Sequence, residues 1–152
     1  MDNLIFRPAV ADDATIILEM MQKFYLIDEY CFSKETTADN IIDFISKPEY
    51  GSIWLIQKQE TIIGYLIMTI VFSFEFKGKN AFVDELYIDK HYRNLGAGRK
   101  AIEHVSREAL KQNIKALHLE VEKHNIKAIG VYNKQGFVEH NRIMMTKYIE
   151  NR

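Results

Sequence analysis

The chain has 152 residues, of which 47% are hydrophobic and 27% are charged, the proportions of an ordinary globular protein. A formal net charge of −1 gives no general attraction to nucleic acid or to anionic membranes, so we expect neither as a partner. The five histidines are scattered and share no ligand spacing with the single cysteine, so we expect no metal site. The length predicts a single domain over residues 1–152.

Cysteine usage and apolar patterning predict a cytoplasmic protein. Cys31 has no second cysteine with which to form an internal disulfide, which fits a reducing compartment. Residues 1–4 lack the basic and apolar regions of a signal peptide. The longest apolar run, residues 62–72, is interrupted by Gly64 and Thr69 and is too short to span a bilayer.

The first third of the chain predicts a strand followed by two helices. The strand is expected to stop at Pro8, which cannot donate a backbone hydrogen bond. Asp12 or Asp13 can cap the first helix, whose apolar residues recur at three- and four-residue spacing to about Ile27. A second helix with a similar apolar pattern is expected to end at Pro48.

Three strands follow, and the last of them carries acidic residues in an unusual position. Residues 52–58 and 61–74 predict two strands joined by a short turn, because they alternate or are rich in β-branched and aromatic side chains. Residues 82–88 predict the third strand. Asp84 and Glu85 lie in its middle, where acidic residues are depleted because a half-buried pleated surface suits them badly.

A glycine-containing turn leads from that strand into an amphipathic helix. Gly96 and Gly98 allow backbone N–H groups at the helix start to approach a ligand closely. Arg99 and Lys100 lie in the first helical turn, which the helix dipole makes the unfavourable end for cations. An anion held at this helix N-terminus would reconcile both observations.

The last third of the chain predicts three strands and one helix. The helix is expected to begin after Asn125, a good N-cap, and to end near residue 134 before Gly136, which has the position of a left-handed C-terminal cap. The strands are predicted at residues 114–121, 137–140 and 142–148. The element order β-α-α-β-β-β-α-β-α-β-β predicts an α/β (α+β) fold, a mixed sheet with helices on its faces.

Two motifs lie on these elements at the expected separation. The first is Arg93-x-x-Gly96-x-Gly98, between a strand and a helix, and the second is Asn125-x-x-Ala128-x-x-x-Tyr132-x-x-x-Gly136-Phe137. Together with the element order they resemble the GNAT superfamily of acyl-CoA-dependent N-acetyltransferases, over about residues 4–147. The resemblance implies a mostly antiparallel central sheet of about seven strands flanked by about four helices.

The resemblance also implies acetyl-CoA as co-substrate, with no metal. Backbone N–H groups of residues 95–99 would hold the pyrophosphate, with charge added by Arg93 or Arg99. The pantetheine arm would bind the backbone of the 82–88 strand, with Asn125 on its other side and Lys134 near the 3′-phosphate. The implied binding residues are Leu86, Ile88, Arg93, Asn94, Leu95, Gly96, Ala97, Gly98, Arg99, Asn125, Tyr132 and Lys134.

By the same resemblance, the activity is direct transfer of an acetyl group from acetyl-CoA to a primary amine, either of a small molecule or of a lysine or peptide. Tyr132 would be the general acid for the leaving thiolate. Glu85 is the candidate general base, and Asp84 and Glu122 are alternative carboxylates. Because the attack is direct, Cys31 is not required.

Aromatic and acidic side chains are expected to bind a cationic amine acceptor. The expected residues are Phe24, Asp28, Glu29 and Asp84. The alternative for the acids is that they are solvated surface residues. Homodimers are common in this superfamily, and a homodimer formed through the terminal strand is therefore kept as an open alternative.

Two other functions remain open at this point. One is a non-catalytic acyl-CoA-binding or sensor module of the same fold. The other is a dinucleotide-binding module, because residues 96–101 also fit the pattern G-x-G-x-x-A, with Glu120 or Glu122 at a suitable distance downstream. The long turn before Gly96 and the preceding antiparallel hairpin argue against the dinucleotide alternative.

Overall fold

The computed structural model describes residues 3–27 and 29–149, and over these residues the chain forms five β-strands and four α-helices. The strands are β1 (Leu4–Pro8), β2 (Gly51–Lys58), β3 (Thr61–Ser73), β4 (Gly78–Ile88) and β5 (Leu117–Leu119). The helices are α1 (Ala14–Ile27), α2 (Lys34–Ser46), α3 (Ala97–Lys111) and α4 (Ile126–Lys134). None of the helices in these two ranges is long and apolar enough to cross a membrane.

The strands form one mixed sheet whose two faces are both covered. Their order is β1-β2-β3-β4-β5; neighbours from β1 to β4 are antiparallel, and β5 runs parallel to β4. On one face, α1 and α2 pack over a core that includes Tyr65, Ile67 and Tyr87. On the other face, α3 packs over Leu66 and Val83, and α4 adds partly buried side chains at the margin.

The sheet opens between β4 and β5. The two strands pair only where Ala81, Phe82 and Val83 face residues 117–119, whereas β4 continues to Ile88. In the described part of the chain, β4 beyond Val83 therefore has a strand neighbour on its β3 side alone. Its other edge is a row of backbone groups that can bind an extended ligand.

A β-bulge in β4 accounts for the unusual acidic pair. Glu85 lies opposite Ile67 and Val83 lies opposite Met68, so Asp84 is an extra residue without a partner in β3. Bulges redirect side chains and are common next to active sites. The two acidic residues therefore lie next to each other at the point where the sheet opens.

The expected strands at the end of the chain are not formed in the described residues. Residues 137–140 and 142–148 have no regular secondary structure, and β5 is confined to three residues. Side chains such as Val138, Ile143 and Met145 are at least 77% exposed. The alternation that predicted these strands reports side-chain direction only, and it contains no information about a pairing partner. The described sheet therefore has five strands where about seven were expected.

Candidate active site

The N-terminus of α3 presents unpaired backbone donors. Gly96 is its N-cap and adopts a left-handed conformation, with φ of 85°, and no side chain within the described ranges caps the helix. The carbonyl of Gly96 accepts from the Lys100 N–H at 3.1 Å, so the N–H groups of residues 97–99 precede the intrahelical ladder. Asn94 also has positive φ, at 63°. Such turns before a helix form concave sites for anions.

There is open space beside these donors. A Cβ atom built on Gly96 or Gly98 would meet no heavy atom within 4 Å, whereas Ala97 is buried in the core under α3. The start of the helix is thus packed against the core at Ala97 and has open space beside Gly96 and Gly98. A phosphate group fits this arrangement because it requires donors without steric cover.

The two arginines of this segment are engaged with the protein. Arg93 donates from Nε to the carbonyl of Ile88 at 2.7 Å, and its guanidinium lies 5.8 Å from the centre of the Tyr87 ring. Arg99 forms an ion pair of 2.7 Å with Glu103, one turn further along α3. A cation at the start of α3 therefore has a local partner, and the case for an anion site depends on the backbone donors.

Helix α4 is fixed at both ends, which positions Tyr132. The Asn125 side-chain oxygen accepts from the Ala128 N–H at 3.1 Å, which confirms the predicted N-cap and leaves the amide nitrogen available. At the other end, Gly136 has φ of 90°, and the Phe137 N–H donates to the Tyr132 carbonyl at 3.1 Å. This is a Schellman cap. Burial raises the pKa of the Tyr132 phenol, so it remains protonated at neutral pH.

These elements enclose a cleft of about 400 Å³ along the free edge of β4, which is within the size range of small-molecule sites. Helix α1 forms one wall from the first face of the sheet, and α3 and α4 form the other. The predicted residues that line it are Phe24, Leu86, Ile88, Arg93, Asn94, Ala97, Gly98, Asn125 and Tyr132. The cleft therefore reaches both faces of the sheet through the gap beside β4.

The remaining predicted residues lie outside this lining. Asp84 instead lines a cavity of about 100 Å³ with Phe82, Val83 and Glu120, where β4 and β5 separate. Asp28 lies outside the described residues. The other predicted residues that do not line the cleft are Glu29, Glu85, Leu95, Gly96, Arg99 and Lys134.

Several lining residues were not indicated by the motifs, and Lys127 is the most informative of them. Its ammonium group donates a hydrogen bond to the side-chain oxygen of Asn94, so it joins the start of α4 to the turn before α3. Lys127 is a cation in the first turn of a helix, the same signal that drew attention to Arg99. The other lining residues outside the motifs are Ile27, Tyr87, Tyr92 and Val131, and Ala128 of the second motif also lines the cleft.

Glu85 lies on the face of the sheet that α1 covers, and two phenols hold it. The Tyr25 hydroxyl donates to Oε1 at 2.5 Å, and the Tyr65 hydroxyl donates to Oε2 at 2.7 Å. Burial raises the pKa of Glu85, both hydrogen bonds oppose that rise, and the nearby Asp84 charge adds to it. Burial also raises the pKa of Asp84. Carboxylates with raised pKa values suit proton abstraction near neutral pH.

Aromatic rings surround Tyr25 at the end of α1. The centres of the Phe24, Tyr30 and Phe32 rings lie 5.9, 5.9 and 5.5 Å from that of Tyr25, each in an edge-to-face arrangement. Aromatic faces next to carboxylates attract organic cations. In the described residues no group of three or more His, Cys, Asp and Glu side chains is arranged to hold a metal ion.

Comparison with known sequences identifies a related family. The profile of the acetyltransferase (GNAT) family matches residues 17–137 of the chain. Thialysine N-epsilon-acetyltransferase of Bos taurus is 31% identical over 75 residues, which cover 49% of this chain and 44% of that protein. The chain is thus matched to less than half of the length of this curated relative.

Solved structures share the fold over nearly the whole chain. An integron cassette protein from the mobile metagenome of Cole Harbour Salt Marsh has a TM-score of 0.86 and 26% identity, and the match covers 97% of this chain and 91% of that one. A predicted acetyltransferase of Clostridium acetobutylicum, solved with acetyl-CoA, has a TM-score of 0.78 and 18% identity over 95% of this chain and 96% of that one.

Proposed function

Because the chain belongs to the acetyltransferase (GNAT) family, we propose that it transfers an acetyl group from acetyl-CoA to a primary amine. One observation carries the proposal. The open backbone donors of α3 and the protonated phenol of Tyr132 meet in one cleft along the free edge of β4. An anion site and a proton donor in one cleft are what a bound acyl-CoA requires at its two ends.

Acetyl-CoA fits the residues that line the cleft. The N–H groups of Ala97, Gly98 and Arg99 would receive the pyrophosphate, and Lys127 supplies a cation at the same mouth of the cleft. The free edge of β4 at Leu86 and Ile88 would bind the pantetheine arm by backbone hydrogen bonds, as an added strand does. The related C. acetobutylicum structure contains this ligand.

The remaining predicted contacts are part of the same proposal. The free amide nitrogen of Asn125 would donate to the arm from the α4 side. Lys134 lies exposed at the end of α4, and there it would meet the 3′-phosphate outside the cleft. Leu95 and Gly96 would contribute backbone to the pyrophosphate turn, for which the left-handed conformation of Gly96 is suited.

Two side chains would transfer the protons of the reaction. Bound acetyl-CoA supplies a thioester carbonyl, which an unprotonated amine attacks as the C–S bond breaks. Glu85 would take the proton that the amine must lose, directly or through water, and the Tyr132 hydroxyl would give a proton to the departing sulfur. The phenol remains available as an acid because burial raises its pKa.

The acceptor would be a cationic amine that enters from the α1 side. Phe24 lines the cleft, and Asp84, Glu85 and the rings around Tyr25 would provide negative charge and aromatic faces for this amine. Glu29 lies in the turn after α1 and would face the entrance. The curated relative acts on thialysine according to its name. Both small-molecule amines and lysine or peptide amines satisfy this chemistry.

The second candidate is a non-catalytic acyl-CoA-binding module, and one observation favours it. Glu85 is not among the residues that line the cleft, and its partners Tyr25 and Tyr65 lie on the opposite face from the core that Tyr132 contacts. Such a module would bind acetyl-CoA in the same cleft without transferring the acetyl group.

Thiol release from acetyl-CoA, measured against a panel of primary amines, tests the proposal. The panel includes polyamines, amino acids with side-chain amines, aminoglycosides and lysine-containing peptides. We expect amine-dependent release of CoA with at least one cationic acceptor, and an acetylated amine of matching mass. Calorimetric binding of acetyl-CoA without turnover on any amine would favour the binding module instead.

A further inference from the structure

The Glu85 carboxylate is held by two phenols that come from distant parts of the chain. Tyr25 lies in the last turn of α1 and Tyr65 in the centre of β3, and each donates to a different oxygen, at 2.5 and 2.7 Å. Tyr65 is fully buried, with no exposed surface, and its ring stacks on Tyr87 at 5.7 Å. The orientation of the carboxylate is therefore set by hydrogen bonds from two different elements.

The hydrogen bonds leave acceptor capacity on the carboxylate. An ionised carboxylate has about four lone-pair sites, and the two phenols occupy one on each oxygen. Each oxygen can therefore still accept a proton from an amine or from a bridging water. The ion pairs of the described residues do not involve Glu85.

The groups that face Glu85 act in opposite directions. Asp84, its neighbour on β4, carries a like charge, and burial also disfavours ionisation. Tyr25 from α1 and Tyr65 from β3 donate to the charged form and favour it. Tyr30 is a further titratable group in contact with Tyr25. The two phenols thus oppose the effect of burial, which disfavours the ionised carboxylate.

We propose that Tyr25 and Tyr65 are positioning residues that hold the Glu85 carboxylate oriented and ionised for proton removal from the acceptor amine. The proposal depends on the acetyl transfer proposed above. The phenols do not touch the acetyl group; they act through Glu85. They stay protonated throughout, because burial and the neighbouring carboxylate raise the pKa of both.

The direction of the pH effect follows from these contacts. Each phenol lowers the pKa of Glu85 relative to burial alone, so replacing either with phenylalanine raises that pKa. The base is active only when ionised, and the acidic limb of the kcat/KM profile therefore moves to higher pH. A tyrosine that served packing alone would not move this limb, because phenylalanine retains the ring.

The experiment compares Tyr25→Phe, Tyr65→Phe and the control Tyr30→Phe, which removes a hydroxyl from a ring that contacts Tyr25 without bonding Glu85. Two readouts are used: the titration of the Glu85 carboxyl by carbon-13 NMR without substrate, and the pH profile of kcat/KM with an amine from the screen. Glu85→Gln assigns the NMR signal and the acidic limb.

We expect both test variants to raise the Glu85 pKa and to shift the acidic limb upward, with kcat/KM reduced roughly tenfold near neutral pH, a part of the effect of a positioned base. Tyr30→Phe should leave the titration of the Glu85 carboxyl unchanged, because only Tyr25 and Tyr65 of the described residues bond that carboxylate. Thermal unfolding checks that Tyr65→Phe keeps the buried core intact, and the half-buried Tyr25 provides an independent test.

An unchanged Glu85 titration in both variants would overturn the proposal, whether or not the protein turns over an amine. An acidic limb that persists in Glu85→Gln would also overturn it, since the base would then be another group. Turnover of no amine by the wild type would instead overturn the proposed function, and the substrate-free titration distinguishes the two failures.

Discussion

At the scale of single residues, Phe137 contacts both the backbone and the ring of Tyr132. The Tyr132 backbone carbonyl accepts from the Phe137 N–H, and the Tyr132 ring lies 5.9 Å from that of Phe137. The N-cap at Asn125 fixes the start of the same helix. A side chain held in this way loses little further freedom when a ligand enters, which is what preorganised catalysis requires.

We expect Tyr132→Phe to lower kcat by roughly 10²–10⁴-fold, the usual contribution of a positioned acid, while the dissociation constant of acetyl-CoA changes little. The physical reason is that only the hydroxyl is lost, and the ring that lines the cleft remains. Steady-state kinetics and calorimetric titration measure the two quantities separately. Tyr50→Phe, at a distant surface site, is the control. A parallel loss of affinity and kcat would argue for a binding role.

At the scale of elements, β3 and β4 approach each other unusually closely beside the site. A Cβ atom on Gly64 would lie 2.1 Å from the backbone oxygen of Tyr87, and Gly64 pairs with Ile88 at the end of β4. This strand end also receives the hydrogen bond from Arg93. Because Gly64 has no side chain, β4 can lie this close to β3, and this spacing sets the position of the free edge of β4.

Gly64→Ala should destabilise the fold by roughly 1–3 kcal/mol, the cost of overpacking a tight interior, and it should weaken acetyl-CoA binding because β4 must shift. Urea unfolding and calorimetric titration test the two effects. Gly130→Ala in α4 is the matched control, because a Cβ there meets nothing within 4 Å and alanine favours a helix. Equal stability of the two variants would contradict the prediction.

Elements with local signals were predictable from the sequence, whereas those that depend on distant partners were not. The predicted cap at Asn125 and the left-handed Gly136 are found because capping involves neighbours in the chain. The expected strands at 137–140 and 142–148 required partners that alternation cannot specify. In the structure, Arg142 instead forms two hydrogen bonds with Glu75 in the turn before β4.

The same limit applies to the candidate site. The motifs indicated the turn at Gly96 and the helix of Tyr132, and the structure brings both to one cleft. The contact of Tyr25 with Glu85 spans 60 residues of sequence, and no local pattern indicates it. Only the depletion of acids in strands gave a sign that Glu85 was unusual.

At the scale of the whole molecule, the cleft joins both faces of the sheet. Its lining includes Phe24 from α1, Ile88 from β4, Ala97 from α3 and Tyr132 from α4. A ligand that bridges these elements binds only when all of them are folded. Binding should therefore stabilise the protein as a unit.

We expect acetyl-CoA at 100 times its dissociation constant to stabilise the fold by about 2.7 kcal/mol, seen as a higher melting temperature. Gly98→Glu should abolish this gain, since its carboxylate would repel the pyrophosphate while favouring the start of α3. Thr36→Glu, in the first turn of α2, is the matched control and should keep the gain. A full ligand effect in Gly98→Glu would place the pyrophosphate elsewhere.

The bulge residue Asp84 affects how the sequence of β4 can change in evolution. Val83 and Glu85 are in register with β3 on either side of Asp84, so loss of one codon here would leave both halves of the strand paired and retain one carboxylate opposite Ile67. Deletion of a different residue of β4 would shift the register between the deleted position and the bulge, and the side chains in that segment would point to the opposite face of the sheet. Asp84 can therefore be lost or regained in evolution without a change in the pairing of β4 with β3.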